Sequence, residues 1–285
     1  MSPGAFLLVL SAAFTHAGWN FAARKVSGNM VIMWLSVWCA GLFLSPPAIY
    51  VVLSSGLEES MSSTGWQNSI ASGVIHALYS ILLALAYQHG EISVVYPIAR
   101  GSGIGLTALL GWSLLEETLS IFGSIGIVLV FAGILFLGIP AYKQSKAFQK
   151  ISLSLSVGCT IVAYSLVDKV GVNHADPIPY LCIAFLISAS CMGPYVWKNH
   201  HGSILRTAKL YYPYILVIGI GAGGTYLIIL YAFTMGQVAY VVAVREFAVV
   251  IGALLGIIFL KEQLTVAKSL AIIAITLGLI CIKSG

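Results

Sequence analysis

Charged residues are scarce in this chain. Only 8% of its 285 residues are Asp, Glu, Lys or Arg, whereas 59% are hydrophobic. A soluble domain needs roughly 25% charged residues to face water, so this shortage excludes a water-soluble globule. The apolar residues fall in runs of about twenty, which is the length of a transmembrane helix. Backbone groups in lipid must be paired within their own segment, and the short alternating segments of a β-barrel are missing. The sequence therefore predicts an all-α integral membrane protein.

Motifs for catalysis, metals and nucleotides are also missing. The five cysteines are scattered through apolar runs without a CxxC pair, which favours simple packing roles. Residues 221–224 (Gly-Ala-Gly-Gly) resemble a phosphate-binding loop only superficially, because no strand precedes them and no Gly-Lys-Ser/Thr follows. The sequence offers no nucleophile–base pair and no metal-ligand spacing. It thus predicts a protein that is not an enzyme, that holds no metal or cofactor, and that does not hydrolyse ATP.

The apolar runs predict ten transmembrane helices. Their predicted bounds are 4–22, 31–53, 69–87, 92–115, 119–139, 151–168, 178–197, 212–234, 237–260 and 264–283. The first helix is expected to be retained, because residues 1–4 lack the basic residues of a signal peptide. Connections are short and no soluble domain is predicted.

Basic residues are distributed unevenly between the two sets of connecting loops. One set holds Arg24, Lys25, Lys143, Lys146, Lys150, Lys198, Arg206, Lys209, Lys261 and Lys268, and the other, with the C-terminus, holds Lys169 and Lys283. The positive-inside rule makes the first set cytoplasmic and places both termini outside, in what we expect to be a bacterial inner membrane. The net charge of +5 then follows from topology and indicates no nucleic-acid partner.

An internal repeat runs through the chain at a spacing of about 145 residues. The matched segments are 109–111 with 254–256 and 115–120 with 260–265, and the matched single residues are Gly133 with Gly278 and Arg100 with Arg245. This divides the chain into halves at residues 1–141 and 142–285, within one membrane domain. Since five helices per half is an odd number, the halves are predicted to be inverted, with a binding site near the midplane between them.

Several of these segments resemble one known family. Residues 90–98 (Gly-Glu-Ile-Ser-Val-Val-Tyr-Pro-Ile), and the Leu-x-Glu-x-Leu elements at 115–119 and 260–264, are similar to those of EamA-type carriers of the drug/metabolite transporter superfamily. Residues 16–20 (His-Ala-Gly-Trp-Asn) are similar to a branch associated with phosphonate utilisation. The resemblance implies alternating access around a central cavity lined by spans 1, 3, 4, 6, 8 and 9. It implies substrates that range from amino acids to nucleotide-sugar-like solutes.

Three charged residues, Arg100, Arg245 and Glu246, lie inside predicted spans. Each costs on the order of 2.5–3.5 kcal/mol at a helix centre, so each must face protein, water or a ligand. Three roles remain open. In the first, the arginines present fork-like donors to a carboxylate or phosphate of the substrate. In the second, Glu246 pairs with an arginine and only ties spans 4 and 9 together. In the third, Glu246 couples transport to protons. Two cations and one anion leave a net charge of +1 that an anionic substrate would neutralise.

Other polar residues lie at helical spacing around these charges. The further candidates for substrate binding are Tyr96, Tyr79, His76, Trp19, Asn20 and Tyr226. Glu246, His16 and His76 are candidate proton relays, and Pro97 is a candidate hinge because it disturbs the helical hydrogen bonds. Asp168 and Lys169, at the end of span 6, are interpreted as an interfacial salt bridge.

The leading prediction is a secondary active transporter for a small anionic or zwitterionic metabolite, such as an amino acid, a carboxylate or a phosph(on)ate compound. The main alternative is a proton-coupled exporter of lipophilic cations, although span 1 holds no acidic residue. A membrane enzyme or sensor is the third hypothesis. The expected partners are a small-molecule substrate and the lipid bilayer, and the protein is expected to be a monomer or homodimer.

Overall fold

The computed structural model of the chain describes residues 1–23, 26, 29–89, 92–142, 148–260 and 263–285. Within these ranges no strand is present, and only an isolated antiparallel bridge joins Met61 to Ala175. The helices are α1 (Pro3–Ala23), α2 (Met30–Ser55), α3 (Leu57–Ser60), α4 (Ser63–His89), α5 (Ile92–Leu114), α6 (Ile121–Tyr142), α7 (Phe148–Gly171), α8 (Pro177–His200), α9 (Ile204–Met235), α10 (Val238–Arg245), α11 (Phe247–Leu260) and α12 (Val266–Ser284). The predicted all-α class is confirmed.

Many large apolar side chains of the molecule are exposed, whereas several charged side chains are buried. By length and composition, the described residues contain six segments fit to cross a membrane, namely Met30–Ser55, Ser63–Ala86, Ile151–Gly171, Pro177–Met235 (which includes both α8 and α9), Val238–Phe259 and Val266–Ser284. Leu53 and Ile121 are 80% and 79% exposed, whereas Arg245 and Glu246 are 3% and 2% exposed. Because a soluble protein shows the reverse arrangement, the chain is an integral polytopic membrane protein.

Two helices begin earlier than their apolar runs. α4 begins at Ser63 rather than at the predicted residue 69, and α9 begins at Ile204 rather than at 212. The hydropathy of the sequence identifies only the lipid-facing part of a helix. These two helices extend beyond that part into polar sequence, which is why their predicted starts were too late. The backbone of α9 is not helical at Tyr211 (φ −114°, ψ 16°), close to Pro213, so this helix is kinked where its apolar part starts.

The ninth predicted span is broken near its middle, at Glu246. There the N–H of Glu246 donates to the carbonyl of Ala243 at 3.1 Å, and the N–H of Val249 donates to the carbonyl of Glu246 at 2.9 Å. Both bonds span three residues instead of four, which is a local 3₁₀ turn of the kind that often marks a hinge. Its repeat counterpart α5 runs without a break through Pro97. A hinge at Pro97 stays a prediction, and the break lies at a position with no proline.

The short helix α10 occupies the centre of the bundle. It packs against α1, α5, α6, α7, α9 and α12, and all of its residues are buried. Around it, α1 packs on α9, α2 on α8 and α9, and α4 on α7 and α8. α10 therefore carries its C-terminal residue Arg245 into the interior of the fold.

Helices α6 and α12 approach each other closely through glycines. A Cβ built on Gly126 would lie 2.5 Å from the backbone oxygen of Gly278, and a Cβ on Gly278 would lie 2.7 Å from the backbone oxygen of Gly126. A Cβ on Gly133 would lie 3.1 Å from the backbone oxygen of Ala271. Small residues permit this backbone approach, as they do between helices in membranes generally.

Gly278→Ala is expected to destabilise the protein by about 1–3 kcal/mol, because the backbone that the new methyl group meets has no rotamer with which to move away. The thermal unfolding midpoint in detergent measures this loss. Gly224→Ala in α9 is the matched control, since a Cβ there meets no heavy atom within 4 Å. It should cause no loss and gain up to about 1 kcal/mol from helix propensity. Equal losses in the two variants would contradict the close α6–α12 contact.

Candidate functional site

The three charged residues predicted inside spans lie together in the folded chain. The Nη1 atom of Arg100 donates to Oε1 of Glu246 at 2.9 Å, and the Nε atom of Arg245 lies 3.8 Å from the same oxygen. All three side chains are at least nine-tenths buried. Arg100 comes from α5, and Arg245 and Glu246 flank the break between α10 and α11. One carboxylate therefore faces two guanidinium groups, and the cluster keeps a net charge of +1.

Arg245 keeps one edge of its guanidinium group unbonded. Its Nε and Nη2 atoms are buried and have no hydrogen-bond partner in the described residues. These two N–H groups point the same way, and together they form the fork that binds a carboxylate or phosphate through two parallel bonds. Because leaving buried donors unpaired costs about 1–3 kcal/mol each, this unbonded edge is suited to binding an anionic group.

His16 joins the cluster from α1. Its Nε2 atom lies 3.1 Å from Nη2 of Arg100, and since a guanidinium group only donates, Nε2 accepts. The ring of Trp19 packs edge-on against His16 with the centroids 4.9 Å apart, and the amide of Asn20 donates to the backbone oxygen of His16 at 2.8 Å. The predicted residues of span 1 thus lie beside the arginine pair. Protonating Nε2 of His16 would break its bond to Arg100.

A second buried carboxylate, Asp168, lies on α7. It is 0% exposed; the hydroxyl of Tyr180 donates to its Oδ1 atom at 2.8 Å, and the hydroxyl of Tyr226 donates to Oδ2. Lys169 instead donates to the backbone oxygens of Phe233 and Gly236 at the end of α9. The predicted interfacial salt bridge between Asp168 and Lys169 is wrong, because adjacent residues point about 100° apart on a helix.

Aromatic rings from three helices surround this carboxylate. His76 stacks on Tyr164 with centroids 4.3 Å apart and meets Tyr226 edge-on at 5.2 Å. Tyr164 also contacts Tyr79 at 5.7 Å and Tyr226 at 5.9 Å. The Nδ1 atom of His76 is 2.9 Å from the backbone oxygen of Ser72, one turn earlier in α4. The predicted residues His76, Tyr79 and Tyr226 are therefore brought together in one cluster of rings, which the hydroxyl of Tyr226 joins to Asp168. Among the residues in the described ranges, no three His, Cys, Asp or Glu side chains are placed to hold a metal ion.

Comparisons with known proteins identify the family. The model of the EamA-like transporter family matches residues 149–284, and that of the Small Multidrug Resistance protein family matches residues 32–130. The chain is 24% identical over 244 residues to the uncharacterized transporter YwfM of Bacillus subtilis (strain 168), covering 85% of this chain and 82% of that protein. The chain belongs to the EamA-like transporter family. It is a membrane transporter.

Two further relatives and one solved structure match this EamA-like transporter. It is 30% identical to the uncharacterized protein MJ1333.1 of Methanocaldococcus jannaschii over 49% of this chain and 98% of that protein. It is 29% identical to the uncharacterized protein y4nH of Sinorhizobium fredii over 39% of this chain and 81% of that protein. A crystal structure of a protein superposes with a TM-score of 0.75 over 98% of this chain and 97% of that chain, at 15% identity, which shows a shared fold.

Sequence reasoning missed two residues of this EamA-like transporter that contribute to its buried polar clusters. Tyr164 lies one turn from Asp168 on the same face of α7, and the 145-residue spacing of the repeat pairs it with Trp19, a signal that was present in the sequence. Tyr180 was hidden because it follows a loop and looks like an interface anchor. The side chain of Tyr96 lies outside the described residues, so its predicted role stays a prediction. Pro97 is buried within α5.

The Leu-x-Glu-x-Leu element at 115–119 has a structural role at the N-terminus of α10. Glu117 accepts the backbone N–H of Val238 through Oε1 at 2.7 Å and that of Ala239 through Oε2 at 3.5 Å. The N-cap residue of α10, Gln237, makes no side-chain capping bond and donates instead to the carbonyl of Thr118 at 2.8 Å. Glu117 therefore satisfies helix N–H groups from outside the helix, where the helix dipole favours a negative charge.

Burial raises the pKa of Glu117 above its ordinary value of 4.5, while the N–H groups of Val238 and Ala239 lower it and leave a net rise. An acid with a raised pKa in the folded state contributes stability below pH 4.5 that is lost as the pH rises through the raised value. Glu117→Gln should remove this step. We expect the thermal midpoint of the wild type to fall relative to that of Glu117→Gln from about pH 4.5 upwards. A constant difference between pH 4 and 8 would contradict the raised pKa.

Proposed function

We propose that this EamA-like protein is a secondary active transporter for a small anionic or zwitterionic metabolite, such as an amino acid, a carboxylate or a phosph(on)ate compound. The observation that carries the proposal is the unbonded Nε–Nη2 edge of Arg245. Arg100 is hydrogen-bonded to Glu246 at 2.9 Å, whereas Nε of Arg245 lies 3.8 Å from the same oxygen and makes no hydrogen bond. The net positive charge of the cluster is therefore assigned to Arg245. A carboxylate or phosphate on the substrate would satisfy both donors and the charge.

The transport cycle is proposed to rock two inverted halves, residues 1–141 and 142–285, around this site. The contact between α6 and α12 supports a two-fold relation. Position 126 contacts 278, and position 133 contacts 271. At the repeat spacing of 145 residues, position 126 of α6 is equivalent to 271 of α12, and 133 is equivalent to 278. The contact of 126 with 278 is therefore equivalent to the contact of 271 with 133, as a two-fold axis between the helices requires. That axis relates antiparallel helices, which is the arrangement of inverted repeats.

The relatives also support duplication of a half-length unit. Nearly the whole of MJ1333.1 matches about half of this chain, and the two family models match different halves, at 32–130 and 149–284. We therefore propose ten membrane-spanning helices in five-plus-five arrangement, with α10 and α11 together forming the ninth. We also propose that both termini lie outside, in a bacterial inner membrane, and the uneven distribution of basic residues between the loops supports this orientation.

A second candidate function rests on Asp168. A buried carboxylate among aromatic rings suits an exporter that exchanges protons for lipophilic cations, and part of the chain matches the Small Multidrug Resistance model. The arginine cluster opposes this function, because its net positive charge repels a substrate that carries only a cation. Cation export therefore ranks behind transport of an anion or zwitterion.

A thermal-shift screen of the purified protein tests the two functions against each other. A ligand that binds only the folded state raises the unfolding midpoint, by an amount equivalent to about 2.7 kcal/mol at a hundred times its Kd. Carboxylates, amino acids, phosphonates and lipophilic cations are compared at equal concentration. The proposal expects stabilisation by compounds that contain an oxyanion. Stabilisation by lipophilic cations alone would replace it with the cation exporter.

A further inference from the structure

Asp168 presents a buried carboxylate that forms no ion pair with a cationic side chain in the described part of the chain. Its two oxygens accept hydroxyl groups from Tyr180 and Tyr226, and the neighbouring Lys169 is turned away to the end of α9. Each carboxylate oxygen has two acceptor sites, so acceptor capacity remains after the two tyrosines are bonded. A buried carboxylate with unused acceptors and no ion pair among the described residues provides what a bound cation needs.

The rings beside Asp168 suit the same ligand. The imidazole of His76 and the phenol rings of Tyr164 and Tyr226 lie with their centroids 4.3–5.9 Å apart. The faces of aromatic rings attract cations, and sets of such rings recognise ammonium groups. His76 and Tyr226 are only partly buried, whereas Asp168 is fully buried, so the rings lie between this carboxylate and the more accessible part of the molecule. We call Asp168, His76, Tyr164 and Tyr226 the aromatic chamber.

The aromatic chamber and the arginine cluster are neighbours. α10, which ends at Arg245, packs against α7 and α9, and these helices carry Asp168, Tyr164 and Tyr226. His76, on α4, contacts both Tyr164 and Tyr226 through its ring. The two groups therefore border one interior region, positive at the unbonded edge of Arg245 and negative at Asp168.

We infer that the aromatic chamber is an ammonium-binding subsite and that the transported substrate is a zwitterion. Its oxyanion binds the Nε–Nη2 edge of Arg245 while its ammonium group binds Asp168 and the surrounding ring faces. Charge balance supports this choice over a simple anion. Arg100, Arg245, Glu246 and Asp168 sum to zero, so a net-neutral dipolar substrate keeps the interior neutral, whereas an anion would leave it negative. The inference rests on the proposed function and narrows its substrate class.

Matched sets of three probes test the inference on the wild-type protein by measuring Kd. One set is L-leucine, its des-amino analogue 4-methylpentanoate and its decarboxylated analogue 3-methylbutylamine. The second is L-phenylalanine, 3-phenylpropanoate and 2-phenylethylamine, and the third is 2-aminoethylphosphonate, ethylphosphonate and ethylamine. In the set that binds, we expect the zwitterion to bind about 30-fold or more tightly than either analogue, because each analogue loses one charged contact. A des-amino acid that binds as tightly as its zwitterion would overturn the inference and leave the proposed function standing.

The variant Asp168→Asn then assigns the ammonium group to this site. It should reduce the preference for the zwitterion over its des-amino analogue to less than about 3-fold, and should leave the Kd of the des-amino analogue within about 3-fold of the wild-type value. A purely structural Asp168 would weaken both probes equally, and that result would overturn the inference. Glu58→Gln removes an exposed carboxylate and is the control for lost charge. If Asp168→Asn does not fold, Tyr226→Phe is measured with the same probes, because it removes one hydrogen-bond donor from Asp168. This variant must then change the preference for the zwitterion over its des-amino analogue.

The failure of the proposed function is distinguishable from the failure of this inference. If the amine probe in a set binds as tightly as the zwitterion and the oxyanion probe does not bind, Arg245 does not hold the substrate and both fail. If the oxyanion probe binds as tightly as the zwitterion, only the ammonium subsite fails.

Discussion

Replacing Arg245 with methionine is expected to abolish substrate binding while leaving the empty transporter at least as stable as the wild type. Its Nε and Nη2 atoms make no hydrogen bond that the variant could lose, and Glu246, 3.8 Å from Nε, keeps its 2.9 Å bond to Arg100. Methionine also removes one of two buried like charges without adding a polar group. Relief of the unpaired donors is worth about 1–3 kcal/mol. Loss of a two-bond charged contact to the ligand should weaken binding about 100-fold or more.

The combination of weaker binding with unchanged or higher stability distinguishes an arginine that binds the ligand from one that only ties helices together. A structural Arg245 would lower the unfolding midpoint when it is replaced, and that result would contradict its role. Arg245→Lys keeps the charge but loses the planar fork, so it should bind the substrate at least about tenfold more weakly than the wild type. Arg206→Gln is the control, because Arg206 is exposed near the start of α9. It should change neither quantity.

Glu246→Gln is expected to destabilise the protein by about 3–5 kcal/mol. The change leaves Arg100 and Arg245 buried with no anion between them, although both now contact the same oxygen at 2.9 Å and 3.8 Å. Unfolding in detergent, followed by the free energy of unfolding or by the thermal midpoint, measures the loss. Glu58→Gln removes an exposed carboxylate and should stay within about 0.5 kcal/mol of the wild type.

A double variant shows whether the loss comes from unpaired charge. Arg100→Met/Glu246→Gln removes one cation together with the anion, so it should be more stable than Glu246→Gln alone, with a coupling of about 1–3 kcal/mol. Losses that simply add would mean that Arg100 and Glu246 do not depend on each other, against the 2.9 Å contact.

Much of the interior was predictable because charge inside a membrane is costly. Arg100, Arg245 and Glu246 stood out in the sequence since lipid tolerates no unpaired charge, and the repeat placed the arginines at matched positions. Their meeting at one carboxylate oxygen, and the unbonded edge of Arg245, depend on side-chain geometry that periodicity does not carry. Among the three open roles, Glu246 does pair with Arg100, and this pairing is what leaves Arg245 available.

The predictions that failed depended on features that hydropathy does not report. Asp168 was assigned to an interface because it lies at the end of an apolar run, yet it is fully buried and accepts hydrogen bonds from Tyr180 of α8 and Tyr226 of α9. The break in the ninth span lies at Glu246, where the ion pair with Arg100 and the 3₁₀ bonds coincide, rather than at a proline. The role of Glu117 could not be predicted because it depends on α10 beginning beside it, where the N–H of Val238 donates to its side chain.

Counterflow in proteoliposomes measures the central claim most directly. Vesicles that contain the wild-type protein are loaded with the tightest-binding zwitterion from the probe sets, and uptake of the same labelled compound is followed. The account predicts rapid exchange by the wild type and by Arg206→Gln, and no exchange above empty vesicles by Arg245→Met reconstituted to the same level and shown to be folded. Exchange by folded Arg245→Met at the wild-type rate would contradict it.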